Sequence, residues 1–242
     1  MLRRTSKRIK EVVDKMCLPV TVVVRLSSRF WDDTHNDKDG EKVQIVIRHL
    51  TLMTVWCRMS TLELPRCDMK RQGTESLPGV LTKCPALANL DLSRNSNVGS
   101  TGTERLVGVL GQYRELVHLN LRGNDIRAGG TESLAGVLVQ CQVLSHLDLG
   151  YNDIGSAGTS SLGELLGQCA SLTHLNLRHN QIGDSGAAKL VGVLGRCTEL
   201  AHLDHGWNRI GNSGTESFAS DQEGQSVLQE FWDSENRWIT SK

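Results

Sequence analysis

Four histidines, His118, His146, His174 and His202, recur at a fixed interval of 28 residues. On neighbouring parallel strands such a row would stack at about 4.8 Å per step, and imidazole is the commonest protein ligand for transition metals. A closed metal site, however, takes mixed ligands in a tetrahedral arrangement, and nothing near the row supplies them. The adjoining column Asp91, Asn120, Asp148, Asn176 and Asp204 reads as solvated surface. The row is therefore expected to be an exposed strand position copied with its repeat, with no metal and no cofactor. Nucleophilic and phosphate chemistry lack their motifs as well: the sequence contains no HExxH, GxSxG or GxxxxGK[ST]. No catalytic residues are expected, and no small-molecule substrate.

The same interval organises the middle of the chain. Leu116-Val-His-Leu119-Asn-Leu121-Arg-Gly-Asn124 is repeated as Leu144-Ser-His-Leu147-Asp-Leu149-Gly-Tyr-Asn152 and as Leu172-Thr-His-Leu175-Asn-Leu177-Arg-His-Asn180. Each copy is followed by isoleucine, glycine, a helical Leu-x-x-(Val/Leu)-Leu and cysteine. Alternation in the first part predicts a short strand, and i, i+3, i+4 spacing in the second predicts a helix with one apolar stripe. Stacked units of this kind form an α/β solenoid, with parallel strands on the concave face and helices on the convex face. Worn copies extend it to Met59-x-x-Leu62-x-Leu64-x-x-Cys67, Leu87 to Asn95, and Leu200-x-x-Leu203-x-His205-x-x-Asn208. The expected organisation is a non-repeat segment or cap over 1–58, about six repeats over 59–218, and a C-terminal cap or tail over 219–242. One extra residue between Asn95 and Gly99 should sit in the loop.

Within a unit, position assigns the role. Leu119 and Leu121 point inward, and His118, Asn120 and Arg122 outward. Asn95, Asn124, Asn152, Asn180 and Asn208, with Cys67 in the same column, stand where the chain leaves the strand. A side-chain amide there can donate and accept to backbone groups of neighbouring turns, which predicts an asparagine ladder. Ser100, Ser156, Asp184 and Asn212 are expected to cap the helices. Cys84, Cys141, Cys169 and Cys197 should be buried small hydrophobes.

At the N-terminal end, Lys10–Lys15 reads as a helix end, Leu18–Leu26 as strand-like and Asp32–Lys42 as a charged loop. Val43–Trp56 fits either a strand or a worn helix. Val227, Leu228, Phe231, Trp232 and Trp238 could fold back over the last repeat.

Lysine plus arginine and aspartate plus glutamate each number 27, so no bulk field favours nucleic acid or an anionic membrane. The longest apolar run, near Leu18–Val24, is far short of the roughly 18 residues a spanning helix needs. No signal peptide is legible at the N-terminus. Seven cysteines without a CxxC pair, and no Asn-x-Ser/Thr acceptor, fit free thiols in the cytoplasm.

The run LxxLxLxxN, then IGxxG, then LxxVLxxC, resembles the ribonuclease-inhibitor subtype of leucine-rich repeats, and its wording is most similar to the repeat region of NOD-like receptors. The resemblance covers about Met59 to Phe218. It implies a horseshoe, cytosolic location and protein ligands. A NOD-like receptor would also carry a nucleotide-binding domain, and without a phosphate loop the expectation is a free repeat protein or a fragment.

The function expected is therefore a non-catalytic scaffold that binds an unknown protein on the concave face. Two alternatives stand beside it. The Ran GTPase-activating proteins share the repeat, and Arg94, Arg122, Arg127 and Arg178 are available arginines for such a role. The near-identity of the units also fits a recently duplicated array without a selected ligand. If a partner binds, the residues of choice are Tyr151, His179 and Trp207, in line with Gly123, with Arg122 and Arg178 beside them. Tyrosine, tryptophan and arginine dominate protein interfaces, although the same rings would equally serve to cover the asparagine turn beneath them.

Overall fold

Leu90, Leu119, Leu147, Leu175 and Leu203 are each at most 2 % exposed. Their polar neighbours in the same strands stay at least partly accessible. A strand patterned this way must bury one face, and in-register pairing of those leucines builds the sheet. The computed structural model describes residues 21–25, 48, 50, 58–67, 71–96 and 98–220. Its elements run β1 (Thr21–Arg25), β2 (Arg58–Glu63), α1 (Arg71–Leu81), β3 (Asn89–Asp91), α2 (Gly99–Leu110), β4 (His118–Asn120) and α3 (Arg127–Leu138). They continue as β5 (His146–Asp148), α4 (Gly155–Leu166), β6 (His174–Asn176), α5 (Gly183–Leu194), β7 (His202–Asp204) and α6 (Asn212–Ser220). Among the described residues the seven strands are parallel and lie in sequence order in one open sheet. No helix among the described residues is long and apolar enough to cross a membrane.

The sheet starts earlier than the repeat wording does. β1 lies within the stretch read as a non-repeat segment, yet pairs parallel with β2 through a register shift between Val22 and Val23. Of Val43–Trp56 only Arg48 and Leu50 are described, and both are helical. Lys10–Lys15, Asp32–Lys42, Met69 and the apolar residues after 220 lie outside the described residues.

Each strand is short because the chain turns at an asparagine whose side chain is fully used. Asn152 Nδ2 donates to the carbonyls of Leu121 (2.9 Å) and Leu149 (2.9 Å), and its Oδ1 accepts the N–H of Asn124 at 2.8 Å. Asn180 does the same for Leu149, Leu177 and the N–H of Asn152. Asn208 serves Leu177, His205 and Asn180. At the start of the array the N–H of Cys67 donates to Asn95 Oδ1 (2.8 Å), while its thiol turns to the carbonyl of Pro65. The pattern fails once. Asn124 Oδ1 is buried and has no hydrogen-bond partner, at the junction where Asn95 and Asn124 are 29 residues apart. Because α2 and α3 are 28 residues apart from end to end, the extra residue falls in the loop between Asn95 and Val98.

The helix starts differ from the sequence reading. Ser100, Ser156 and Asp184 lie one residue inside their helices, Asn212 is the first residue of α6, and the cap positions are Val98, Ile126, Ile154 and Ile182, which offer no side-chain bond. None is needed there. The first helical N–H groups, of Gly99, Arg127, Gly155 and Gly183, donate to the carbonyls of Asn124, Asn152, Asn180 and Asn208 at 2.8–2.9 Å. The next coil thus does what a capping side chain does elsewhere. The Asp184 carboxylate instead accepts from Gly211 and Gly214 of the following coil.

Leu106, Leu134, Leu162 and Leu190 lead the apolar stripes against the strand leucines, with Val137 and Val193 only partly buried. Thr103, Thr131 and Thr159 are buried as well, each hydroxyl donating to the carbonyl four residues back at 2.7 Å. The thiols of Cys141, Cys169 and Cys197 point at the carbonyls of Leu110, Leu138 and Leu166 in the preceding coil. Tyr113 occupies the same column and reaches Leu81 O with its hydroxyl at 2.7 Å. Burial pushes the Cys84, Cys141 and Cys169 thiols up to about 11, so these are packing groups and not nucleophiles.

The ladder yields a comparison. Asn152→Ala takes one of the two amide donors from each of the Leu121 and Leu149 carbonyls and leaves the buried Asn124 N–H without an acceptor, and should destabilise the fold by roughly 1–3 kcal/mol. Asn124→Ala likewise takes one of two donors from the Leu92 and Leu121 carbonyls but removes an oxygen already without a partner, so it should cost less. Urea midpoints of the two variants check this, and a larger loss for Asn124→Ala would contradict it.

Candidate functional site

The outward side chains of the strands and of the turns after them form three columns on the concave face. The histidine column is held by strand register, His118 against His146, His146 against His174 and His174 against His202. Their rings stack with centroids 4.1, 4.1 and 4.3 Å apart. The hydroxyls of Ser145 and Thr173 sit 2.7 and 2.9 Å from the Nδ1 atoms of His146 and His174 and fix those rings. Stacked imidazoles direct their in-plane nitrogens side by side, the opposite of the convergence that a tetrahedral metal needs.

The next column is half-buried and hydrogen-bonded, not the solvated surface expected from sequence. Asn120 Nδ2 donates to Asp91 Oδ2 and Asn176 Nδ2 to Asp148 Oδ2, both at 3.2 Å. The remaining carboxylate oxygen of Asp148 accepts the backbone N–H of Gly150 (2.8 Å), and the amide oxygen of Asn176 accepts that of Arg178 (2.9 Å). Burial raises the Asp148 pKa above the ordinary carboxylate value, against the lowering pull of Gly150, Arg122 and Asn176.

Tyr151, His179 and Trp207 form the third column. They do not continue the strand: their φ values of 59°, 58° and 60° place them in the left-handed region, as does Gly123 at 67°. The turn lifts them to the rim, where Tyr151 is 43 % and Trp207 70 % exposed. Tyr151 stacks on His179 at 4.6 Å and His179 on Trp207 at 6.4 Å. Arg122 lies over the Tyr151 ring at 4.4 Å and Arg178 over Trp207 at 5.8 Å. All five residues named from sequence are therefore neighbours. Of the other arginines, Arg127 is tied to Asp125 by two bonds of 2.9 Å, and Arg94 is exposed in a left-handed turn. The histidine and aspartate columns, with Arg178 and Trp207, line a groove of about 1130 Å³.

Sequence reading missed the pinning hydroxyls and the way the arginines cross the glycines of the next coil. The signal for the second lay in Gly150 and Gly206, which stand where Arg122 and Arg178 stand in alternate units.

The histidine row makes stability depend on pH. His146 and His174 are held below the ordinary imidazole value, first by burial and then by the other histidines of the row. The unfolded chain therefore takes up protons first, so stability is complete above about pH 6.5 and is lost as pH falls below it. Asp148, shifted up, has the opposite sign but acts only nearer the carboxylate range. The urea midpoint should drop between pH 7.5 and pH 5.5, and by less in the His146→Gln, His174→Gln double variant. Equal drops in both proteins would contradict the assignment.

Residues 115–135, 140–163 and 168–191 match the family model for the Leucine Rich repeat. No curated protein matches the chain. Among solved structures, Leiomodin-1 Actin-Binding Site 2 (ABS2) is similar, with a TM-score of 0.53 and 15 % identity over 68 % of this chain and 97 % of that one. At that identity the likeness is one of fold. The chain carries leucine-rich repeats, folded as an α/β solenoid with an open parallel sheet.

Proposed function

We propose that the protein is a non-catalytic scaffold that holds a protein partner on its concave face, at the rim formed by Tyr151, His179, Trp207, Arg122 and Arg178. The observation that carries this reading is the exposure of large rings at the rim, Tyr151 at 43 % and Trp207 at 70 %, each with a guanidinium over it. The left-handed turn beneath them is shared with Arg66, Arg94 and Gly123 and belongs to the repeat. Large rings carrying guanidinium groups are also the chemistry of interface hot spots.

The subtype, location and absence of catalysis belong to the same reading. A 28-residue period with 12-residue helices supports the ribonuclease-inhibitor subtype, as in NOD-like receptor repeats. Among the described residues five cysteines are free and buried, which supports a reducing, cytoplasmic setting. The Ser145–His146 and Thr173–His174 hydroxyl–imidazole pairs are neighbours in sequence that hold ring orientation, which supports a structural use.

Changing Tyr151 and Trp207 together to alanine should leave the circular dichroism spectrum intact and reduce recovery of partners in a pull-down by at least ~10-fold, since two hot-spot rings are removed. A folded double variant that recovers the same partners in the same yield would refute the rim as the binding surface.

A further inference from the structure

The residue before each histidine of the row changes from coil to coil: Val117, Ser145, Thr173 and Ala201. Only the two inner rings have a hydroxyl beside them. Ser145 Oγ donates to the carbonyl of Val117 at 3.3 Å and Thr173 Oγ1 to that of Ser145 at 3.0 Å, each reaching the coil before. A hydroxyl has one proton and two lone pairs. With the proton given to a carbonyl, the oxygen accepts from the ring, so the contacts of 2.7 and 2.9 Å are N–H bonds from Nδ1 of His146 and His174. The opposite assignment, hydroxyl to Nδ1, makes one bond in each relay where this one makes two. A neutral imidazole protonated at Nδ1 leaves Nε2 bare. Nε2 stands on the ring edge away from the main chain, and both rings line the concave groove.

The two inner rings resist charging together. Their centroids are 4.1 Å apart and their planes 11° from parallel, and each has a further ring on its outer side, His118 at 4.1 Å and His202 at 4.3 Å. Cations at such distances repel, more strongly where water is partly excluded. Among the described residues, the other charged or titratable groups of the groove are Asp148, Asp204, Arg178 and His205. Gly150 N–H and Asn176 Nδ2 bond the two oxygens of Asp148, and Asp204 faces Arg178 at 3.8 Å. The pull of both carboxylates on the row is thus partly met elsewhere. Behind the sheet, α3, α4 and α5 bury leucine, alanine, glycine and threonine and bring no charge. Burial, and then the neighbouring histidines, hold both inner rings below the ordinary imidazole value.

We propose that His146 and His174 form a pH switch that reverses the hydrogen-bonding sense of the groove floor without moving it. In the neutral state the relays hold both rings as Nδ1–H tautomers, and two adjacent Nε2 atoms accept. In acid one ring takes up a proton at Nε2 and becomes a cationic donor, its Nδ1 keeps its bond to the hydroxyl, and repulsion holds its neighbour neutral. A partner seated there through its own N–H or O–H groups is released. The switch regulates the concave face and rests on the reading above only in having a partner to act on.

The test is read on the unliganded full chain labelled with 15N, from two-bond proton–nitrogen correlations of the imidazoles between pH 7.5 and pH 5.5. At pH 7.5 His146 and His174 should show a protonated Nδ1 and a bare Nε2, with the Nδ1–H tautomer in excess by about 5-fold, the ratio one further hydrogen bond sustains. His118 and His202, beside valine and alanine, should not show that excess. Ser145→Ala should remove it from His146 and leave it in His174, Thr173→Ala should do the reverse, and Thr173→Ser should keep it. On acidification the inner rings should charge over a range broader than that of a single site, and His146→Gln should let His174 charge at a higher pH. A dominant Nε2–H tautomer in either inner ring at pH 7.5, a tautomer indifferent to loss of its hydroxyl, or a His174 curve unchanged by His146→Gln overturns the proposal. Should a variant fail to fold, the tautomers and titration curves of the unaltered chain decide alone. Spectra that fail beside a Tyr151, Trp207 double variant that has lost its partners sink the switch and leave the rim standing. Spectra as expected beside a double variant that keeps its partners support the switch and remove the rim.

Discussion

A buried amide that bonds to the coil before it and the coil after it sets the terms for the rest of the molecule. Asn152, Asn180 and Asn208 each donate to one carbonyl of their own coil and one of the preceding coil, and accept the preceding asparagine N–H on their oxygen. These groups lie in a turn that leaves the sheet, where neither strand nor helix pairing reaches them, and unpaired they would each cost on the order of 1–3 kcal/mol. The arrangement closes only when successive coils are in register. Fixed spacing therefore propagates to every other column: leucines meet leucines inside, helix starts donate to the next coil's asparagine carbonyl, and thiols face the previous helix end.

Register also builds the outer surface. Once coils are stacked in phase, any residue copied with the unit becomes a line across the sheet, which is why four histidines become a stack and why Tyr151, His179 and Trp207 share a rim. A line of identical groups has little to recognise with, and selectivity enters where units differ. The alternation of arginine with glycine, and of asparagine with aspartate, doubles the spacing and makes each site from two coils. Such a surface is rigid because its parts belong to the sheet and its turns, so a ligand meets groups already positioned.

The solenoid was legible in the sequence because its rule is local and repeated: inward leucines, the turn asparagine and the helix stripe all stand where spacing put them. The helix caps misled because Ser100, Ser156 and Asp184 look right within one unit, whereas the groups that satisfy the helix start come from the next. Tyr113 was invisible because it breaks the cysteine column in type while keeping its contact, a donor aimed at the carbonyl of the coil before. β1 escaped the repeat reading because Thr21–Arg25 carries valines where later strands carry leucine, and its spacing to β2 is irregular. For the site, residue types and rows were readable. The Arg122 and Arg178 crossings were not, since they depend on an absent side chain in a neighbouring coil.

The central claim, that the asparagine rungs hold the coils in one cooperative stack, is tested most directly by hydrogen exchange at the backbone amides of Asn124, Asn152 and Asn180. Each of these N–H groups is donated to a side-chain oxygen 28 residues on. They should exchange as slowly as the amides of Leu119, Leu147 and Leu175 within the strands, and increase in rate together with them as urea is added. Asparagine amides that exchange freely while those leucine amides stay protected would show that the sheet stands without the ladder, and would contradict the account.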